Sequence, residues 1–465
     1  MTITEPALAQ RRALTIAALG TLLTLVAFTA PLATINPTAA TLGSDAAGKT
    51  WILSSMSIGL AAALLTTGTI ADDFGRRRTF VVGAVILALG SVACAVSPNT
   101  LVFVLARVVQ GLGGAAVVAS SLGIIAHTHP AGPSRARASG IWGASVGAGI
   151  ALGPLVAAGL DRIATWRDAY WLMAVATVVL AAVAHRRVEE SRIETPRGLD
   201  PLGALLLATG VSALLAALVE GRQGWVQPVP ITLFAVSALL LVAFGVTELR
   251  TRSAMLDLRL LTQPAFVAAT TAALAAGAGI IALMSFMSGF LGNAFGIDAL
   301  GAAVLLFVWS GSSVVTALLA RHIPAQMTGS VQLAVGLIGV AVGQLGLLGL
   351  SETSTWVRLV PGLLVAGIAS GVLNAALGRE AVASVPAGRA GMGSGANNTA
   401  RYVGSAIGVT VVAVVAIPTG SPTDAALVAG WNTAVLFTAA VSVVGALVVL
   451  ACRTRTARGS AGVRP

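Results

Sequence analysis

The seven positions from Asp72 to Arg78, within GTIADDFGRRR, hold two carboxylates and three guanidinium groups. At this spacing they can form ion pairs, and Asp72 can also sit against the positive N-terminal end of a neighbouring helix. Two further guanidinium groups, Arg107 and Arg401, lie inside long apolar runs, where an ionisable residue is a functional candidate by default. Asn397 and Asn398 lie one helical turn from Arg401. These polar groups can line a cavity or stitch one helix to its neighbour, and both readings stay open. No GxxxxGK[ST] phosphate loop occurs, so direct ATP coupling is not expected. His127, His129, His185 and His322 are scattered rather than clustered, so neither a metal site nor a histidine relay is expected. No catalytic residues, no enzymatic activity and no cofactor are expected.

The elements that carry these groups are apolar throughout. The chain has 465 residues, 56% of them hydrophobic and 10% charged, with mean hydropathy +0.91. A soluble protein of this length needs a more polar surface. Runs of about 20 apolar residues, each able to cross a hydrocarbon core about 30 Å thick, recur along the chain. Fourteen spans are predicted, near 14–35, 50–70, 79–97, 101–125, 138–160, 168–184, 201–220, 229–249, 264–291, 299–319, 330–350, 357–377, 392–417 and 427–450. Backbone groups in lipid must bond internally, so each span is expected to be a helix. The fold class is an all-α integral membrane protein.

An even number of spans puts both chain ends on one side. Of the 28 basic residues, 21 fall in segments on that side and five on the other, while Arg107 and Arg401 lie within spans. By the positive-inside rule both ends are cytoplasmic. Trp51, Trp166, Trp171, Trp225, Trp356 and Trp431 fall near the predicted outer ends, where amphipathic rings favour the interface. The net charge of +11 is spread over short loops rather than one soluble domain, so no nucleic-acid partner is expected. Arg11 and Arg12 precede an apolar stretch too long for a typical cleaved signal, which reads as a retained first helix. Cys94 and Cys452 fall near opposite faces, so no disulfide is expected. The charged stretch near 185–200 divides the chain.

The charged turn between spans 2 and 3 resembles the G-x-x-x-D-x-x-G-R-R loop of the major facilitator superfamily, with Gly68, Asp72, Gly75, Arg76 and Arg77 in its positions. RVVQGLGG in span 4, with Arg107 and Gln110, is similar to that family's R-x-x-Q-G motif. Gly149, Gly153 and Pro154 in span 5 resemble the G-x-x-x-G-P motif of its drug:proton antiporters, small-residue packing beside a bendable proline. WRDAYWLMAV, LDPLGALLL and MGSGANNTARYVGSAIGV resemble the fourteen-span branch of those antiporters. The resemblance implies two six-helix bundles, residues 1–184 and 264–465, with an inserted helical pair and its linker over 185–263. It implies that the charged turn latches the halves together in one conformation. Asp73 stands where a basic residue is usual.

A further departure is in span 1. The branch often carries an acid there in a D-x-T context, whereas this chain has Ala27 and Thr29 at those positions. Arg107 lies at the depth of Thr29 and is expected either to face the missing carboxylate or to bond backbone carbonyls of span 1. No acid falls near a midplane, so Asp72, Asp298 and Glu220 are the candidates for proton coupling. The expected cavity residues are Arg107, Gln110, Thr29, Asn397, Asn398 and Arg401. The expected function is secondary efflux of a lipophilic small molecule, neutral or anionic, by alternating access driven by a proton gradient. The expected setting is the cell membrane, in contact with membrane lipids, as a monomer. A lipid or self-made-metabolite exporter and a non-transporting sensor on the same scaffold are the alternatives.

Overall fold

The computed structural model describes residues 5–196, 198, 200–222, 224–251, 254–323, 327–351, 354–416 and 423–461. The described residues form helices and connecting segments, with no strand among them.

The first crossing is built from two helices, α1 (Glu5–Thr29) and α2 (Pro31–Leu42), where one continuous helix over 14–35 was expected. Pro31 is the reason. It has no N–H, so the carbonyl of Ala27 loses its helical donor, and the chain turns at Ala30. Five helices follow: α3 (Ala46–Phe74), α4 (Arg76–Ala95), α5 (Thr100–Thr128), α6 (Pro133–Ile163) and α7 (Trp166–Arg187). Then come α8 (Pro201–Gly221) and α9 (Pro228–Arg250). The next crossing joins α10 (Pro264–Ala276) to α11 (Ala282–Phe295) through a wide turn at Gly277–Ile281. The remainder are α12 (Ala299–Leu319), α13 (Gly329–Leu345), α14 (Leu359–Ala383), α15 (Ala390–Ala416) and α16 (Asp424–Ala461).

Thirteen of these crossings are long and apolar enough to span a membrane, and α13, at 17 residues, is a shorter fourteenth. It stops five residues before the predicted end. The carbonyls of Leu347 and Leu350 accept from the side chains of Trp431 and Asn432 instead of continuing a helix. The last helix overshoots its prediction and runs to Ala461. Helix starts on the apolar elements are capped by Asp45, Asn99, Asp200 and Asp298, each accepting from the backbone N–H three residues on. Such caps satisfy donors that have no intrahelical partner.

Buried apolar residues gather into two large cores. One draws on α10 to α16; the other draws mainly on α1 to α9. The two groups of helices meet along two seams. In one, α3 crosses α15, and in the other α6 crosses α12 and α14. Glycines set both. A Cβ on Gly68 would strike the Gly391 backbone, and one on Gly395 would strike Leu64 and Leu65. A Cβ on Gly143 would meet the backbone at Asn374 and Ala375, and one on Gly140 that of Ala317. These contacts lie toward the face that carries both chain ends, called here the terminal face. The backbones touch there, which only small residues permit.

Two of the tryptophans expected at the lipid interface are instead inside the protein. Trp431 is fully buried, stacked 4.4 Å from Phe290, and Trp166 packs edge-on against Phe103 and Tyr170. Each indole N–H finds a partner, the Leu347 carbonyl and the Thr41 hydroxyl respectively. Aromatic packing plus a satisfied donor outweighs an interfacial position here.

Candidate functional site

The terminal face is sealed by a charge cluster assembled from three parts of the chain. α3 ends at Phe74 and α4 begins at Arg76, so a single residue makes the turn. That residue is Gly75, with φ +130°, a conformation that side chains strain to adopt. The tight turn brings Asp72 under Arg76, which donates to it at 2.9 Å. Asp72 also accepts from the backbone N–H groups of Gly391 and Met392 at 3.1 and 2.9 Å. Those N–H groups open α15, so the carboxylate lies at the positive end of a helix from the other half. Arg76 reaches the carbonyl of Gly388 at 2.8 Å, a second tie across the seam.

Asp73 points to its own partner. Arg389 donates to it at 2.5 Å, and both side chains are buried. The acid that departs from the family pattern therefore forms a second ion pair between the halves. The third part is the charged segment after α7. Glu190 accepts from the backbone of Arg77 and Arg78 at the start of α4. Ser191 accepts from the Arg76 backbone, and the Ile193 N–H donates to the Asp72 carbonyl at 2.8 Å. The stretch near 185–200, expected only as a divider, thus also completes the cluster, through the Glu190 carboxylate and the backbone of Ser191 and Ile193.

Away from the terminal face, α3 and α15 separate and a chamber of about 360 Å³ opens between them. Phe28 and Leu32 line it from the broken first crossing, and Leu53, Ser54 and Ser57 from α3. Ser285, Phe286, Phe290 and Asn293 of α11 face it, with Ser405, Val409 and Thr410 of α15 opposite. Leu215 and Val219 of α8 and the adjoining Arg222 complete the wall. Phe28 meets Tyr402 edge to face at 5.5 Å, joining the first crossing to α15 at the chamber's inner end. Arg222 is the one charged residue among the described lining residues, and none of them is a carboxylate. Its guanidinium donates to the Thr410 hydroxyl at 3.3 and 3.4 Å, and Thr410 donates in turn to the Leu218 carbonyl.

Sequence reasoning treated Arg222 as one more outer-loop cation. The signal that could have found it was its place at the end of α8, an apolar helix that must pack somewhere.

Arg107, Gln110, Thr29, Asn397, Asn398 and Arg401, the six residues expected in a cavity, make other contacts in this structure. Arg107 is fully buried and donates to the carbonyls of Ala27 and Phe28 at 2.6 and 3.1 Å. It thus supplies the donor that Pro31 took from Ala27. Gln110 accepts from Arg107 and donates to Ser91. Thr29 donates to Leu25 and Gly149. Asn397 ties α15 to the Ala269 carbonyl of α10, and Asn398 donates to Ser394 on its own helix. Arg401 is buried one turn from Ser405, toward the terminal face. None of the six is among the residues lining the chamber.

The antiporter-type glycines serve packing within one half. Gly149 lies against Leu22 and Leu25, and Gly153 against Val26 and Thr29, with Pro154 inside α6 beside them. Of the other candidate acids, Glu220 accepts from the Trp51 indole at 2.6 Å. Asp298 caps α12 and pairs with exposed Arg162 across the second seam. The Gly301 N–H and then the Arg162 charge hold its carboxyl below the usual carboxylate range. Among the described residues no group of three or more His, Cys, Asp and Glu side chains is placed to hold a metal ion.

Two helical groups hinged on small-residue seams, an ionic seal at one face and a chamber between them define the build of a secondary transporter. The chain belongs to the Major Facilitator Superfamily, whose family model matches residues 17–409. It is 30% identical over 372 residues to "Multidrug resistance protein Stp" of Mycobacterium tuberculosis, covering 80% of this chain and 69% of that one. It is 28% identical over 395 residues to "Multidrug efflux pump LfrA" of Mycolicibacterium smegmatis, covering 84% and 77%. Among solved structures it resembles the human organic anion transporter MFSD10, with TM-score 0.66, 17% identity and coverage of 95% and 99%. That likeness speaks to the fold alone.

Proposed function

We infer that this chain is an efflux transporter of the fourteen-span drug:proton antiporter type, moving lipophilic small molecules by alternating access. Relatives named for multidrug resistance and efflux, at 28 to 30% identity, support export. The observation that carries the reading is the position of the chamber. It is closed on the terminal face by the Asp72 and Asp73 ion pairs and lies in the opposite half of the protein. With both chain ends in the cytoplasm of a cell-membrane protein, as the basic-residue asymmetry argues, this is the state that has turned its cargo outward.

The chamber favours neutral or anionic lipophiles over multivalent cations. Its lining is largely apolar, holds one guanidinium and offers no carboxylate to a cation among the described residues. Proton coupling rests on the motif resemblance and on Asp72. Protonating that carboxylate removes the charge that holds the start of α15, so the seal is the place where a proton gradient acts on the conformational balance. Asp298 is held ionised near neutral pH, and Glu220 serves as an acceptor for Trp51. A non-transporting sensor has no need of a seal that must break and re-form in each cycle.

The test is flux in proteoliposomes. Anionic, neutral and dicationic fluorescent amphiphiles are compared with and without an imposed proton gradient. Uphill movement of the first two, driven by the gradient and abolished by an uncoupler, is expected. Gradient-driven movement of dications alone, or no flux of any probe, contradicts the reading.

A further inference from the structure

We propose that the inserted helix α8 forms part of the substrate chamber and that Arg222 at its end is an anion anchor, pairing with a carboxylate-type substituent on a lipophilic substrate. The inference deepens the transport reading and rests on it.

An inserted helical pair could simply face lipid. Here α8 packs against α3 and α15 where those helices part, so it closes the gap between them. Leu215 and Val219 present the apolar wall, and Arg222 follows at the turn. Two fastenings fix this position. Trp51 of α3 donates to Glu220 at 2.6 Å, and Thr410 of α15 donates to the Leu218 carbonyl at 3.3 Å. The end of α8 is therefore held to both mobile halves at the chamber.

Arg222 has the chemistry of a receptor rather than of a structural cation. A guanidinium carries five N–H donors, and the only acceptor recorded for it among the described residues is the neutral Thr410 hydroxyl, at the long distances of 3.3 and 3.4 Å. No carboxylate forms an ion pair with it among those residues. Glu220, the nearest acid along the helix, is taken by Trp51. Asp298 is taken by Arg162. The remaining donors can meet a carboxylate in the two-pronged geometry that guanidinium favours, and the apolar surroundings strengthen that attraction. Phe28, Phe286 and Phe290 supply flat apolar surface for the lipophilic body. A substrate with its ring system among these phenylalanines and its anionic group on Arg222 uses both kinds of surface at once.

Binding of pyrenebutyrate and of its methyl ester to the purified full chain in lipid nanodiscs, followed by pyrene fluorescence, tests this. The two probes differ only in the charged group. Wild-type protein is expected to bind the acid at least about tenfold more tightly than the ester, the worth of one charge-assisted pair. In Arg222→Gln that preference disappears while ester affinity stays within about twofold, which also shows that the variant is folded. Arg222→Lys retains part of the preference, because a point charge replaces a fork. Equal loss for acid and ester in both variants, an unchanged preference in Arg222→Gln, or binding of neither probe by the wild type overturns the proposal. The readout is binding without a gradient. An Arg222-independent preference for the acid sinks the anchor and leaves transport standing, whereas absent flux in proteoliposomes sinks transport whatever Arg222 binds.

Discussion

Asp73 and Arg389 lie 316 residues apart and meet at 2.5 Å, both side chains buried at the terminal face. Their contact joins the end of α3 to the residue just before α15, alongside the Asp72 and Arg76 cluster. Breaking a buried pair by removing one partner costs about 3–5 kcal/mol, because the other charge is left alone. That cost falls on the sealed state and not on a state in which both groups are hydrated. Asp73→Asn is therefore expected to shift the balance toward an open terminal face by on the order of a hundred- to a thousandfold. Spin-label distances between Arg78→Cys and Ala387→Cys report it as a lengthened population. An unchanged distance distribution counts against the second ion pair.

Asp72→Asn tests the other arm of the seal. An amide keeps a single acceptor oxygen, so only one of the Gly391 and Met392 N–H groups retains its partner, and it loses the charge that suits a helix start and pairs with Arg76. Turnover is expected to fall about tenfold or more while the amount of protein inserted in the membrane is unchanged. Flux per reconstituted molecule measures it. Wild-type turnover in this variant removes the seal from the cycle.

Arg107 and Pro31 form a compensating pair through the Ala27 carbonyl. Arg107→Gln leaves that acceptor short of a donor in a buried site, a loss of about 1–3 kcal/mol. Its thermal midpoint is expected to drop. Pro31→Ala returns a backbone N–H and so recovers part of the loss in the double variant. Additive destabilisation of the two changes, measured by fluorescence-monitored unfolding in detergent, contradicts the compensation.

Glycine contacts separate the seam from open helix surface. Gly395→Val places side-chain atoms into the Leu64–Leu65 backbone and is expected to hold the terminal face open, whereas Gly159→Ala meets nothing and stays silent. The same Arg78 and Ala387 label pair distinguishes them. Equal behaviour of the two variants removes the close seam as the hinge contact.

Asp298 gives a pH expectation. The Gly301 N–H and Arg162 depress its carboxyl below the ordinary value of about 4. A depressed folded value means that its contribution is present above the unfolded value and is lost as pH falls through the folded one. Nothing at this site changes between pH 5.5 and 8, so Asp298→Asn is expected to leave the shape of the pH–flux profile in that range unchanged. A shifted midpoint there makes Asp298 a participant in coupling.

Much of the architecture was legible because lipid leaves few choices. Twenty-residue apolar runs must be helices, and the basic residues sort the loops into two sides. The charged turn was legible because Asp72, Gly75 and Arg76 stand at telling spacings. The chamber was not. Depth along a span put Arg107 level with Thr29, but depth does not say which face of a helix a side chain takes, and Arg107 turned to the kink made by Pro31. Arg222 was passed over because counting loop charges treats every outer cation alike. Its role comes from α8 closing the gap between α3 and α15, a packing relation with no signature in any one stretch. Trp431 shows the same limit: its indole bonds to Leu347, 84 residues away.

The central claim is that the chamber opens to one side while the ionic seal closes the other, with the chain ends on the sealed, cytoplasmic side. Single cysteines at Ser54 and at Arg78, in a background with Cys94 and Cys452 replaced, are exposed in intact cells to a membrane-impermeant maleimide. The account predicts that Ser54→Cys labels from outside and that Arg78→Cys labels only after the membrane is permeabilised. Labelling of Arg78→Cys from outside, with Ser54→Cys protected, contradicts it.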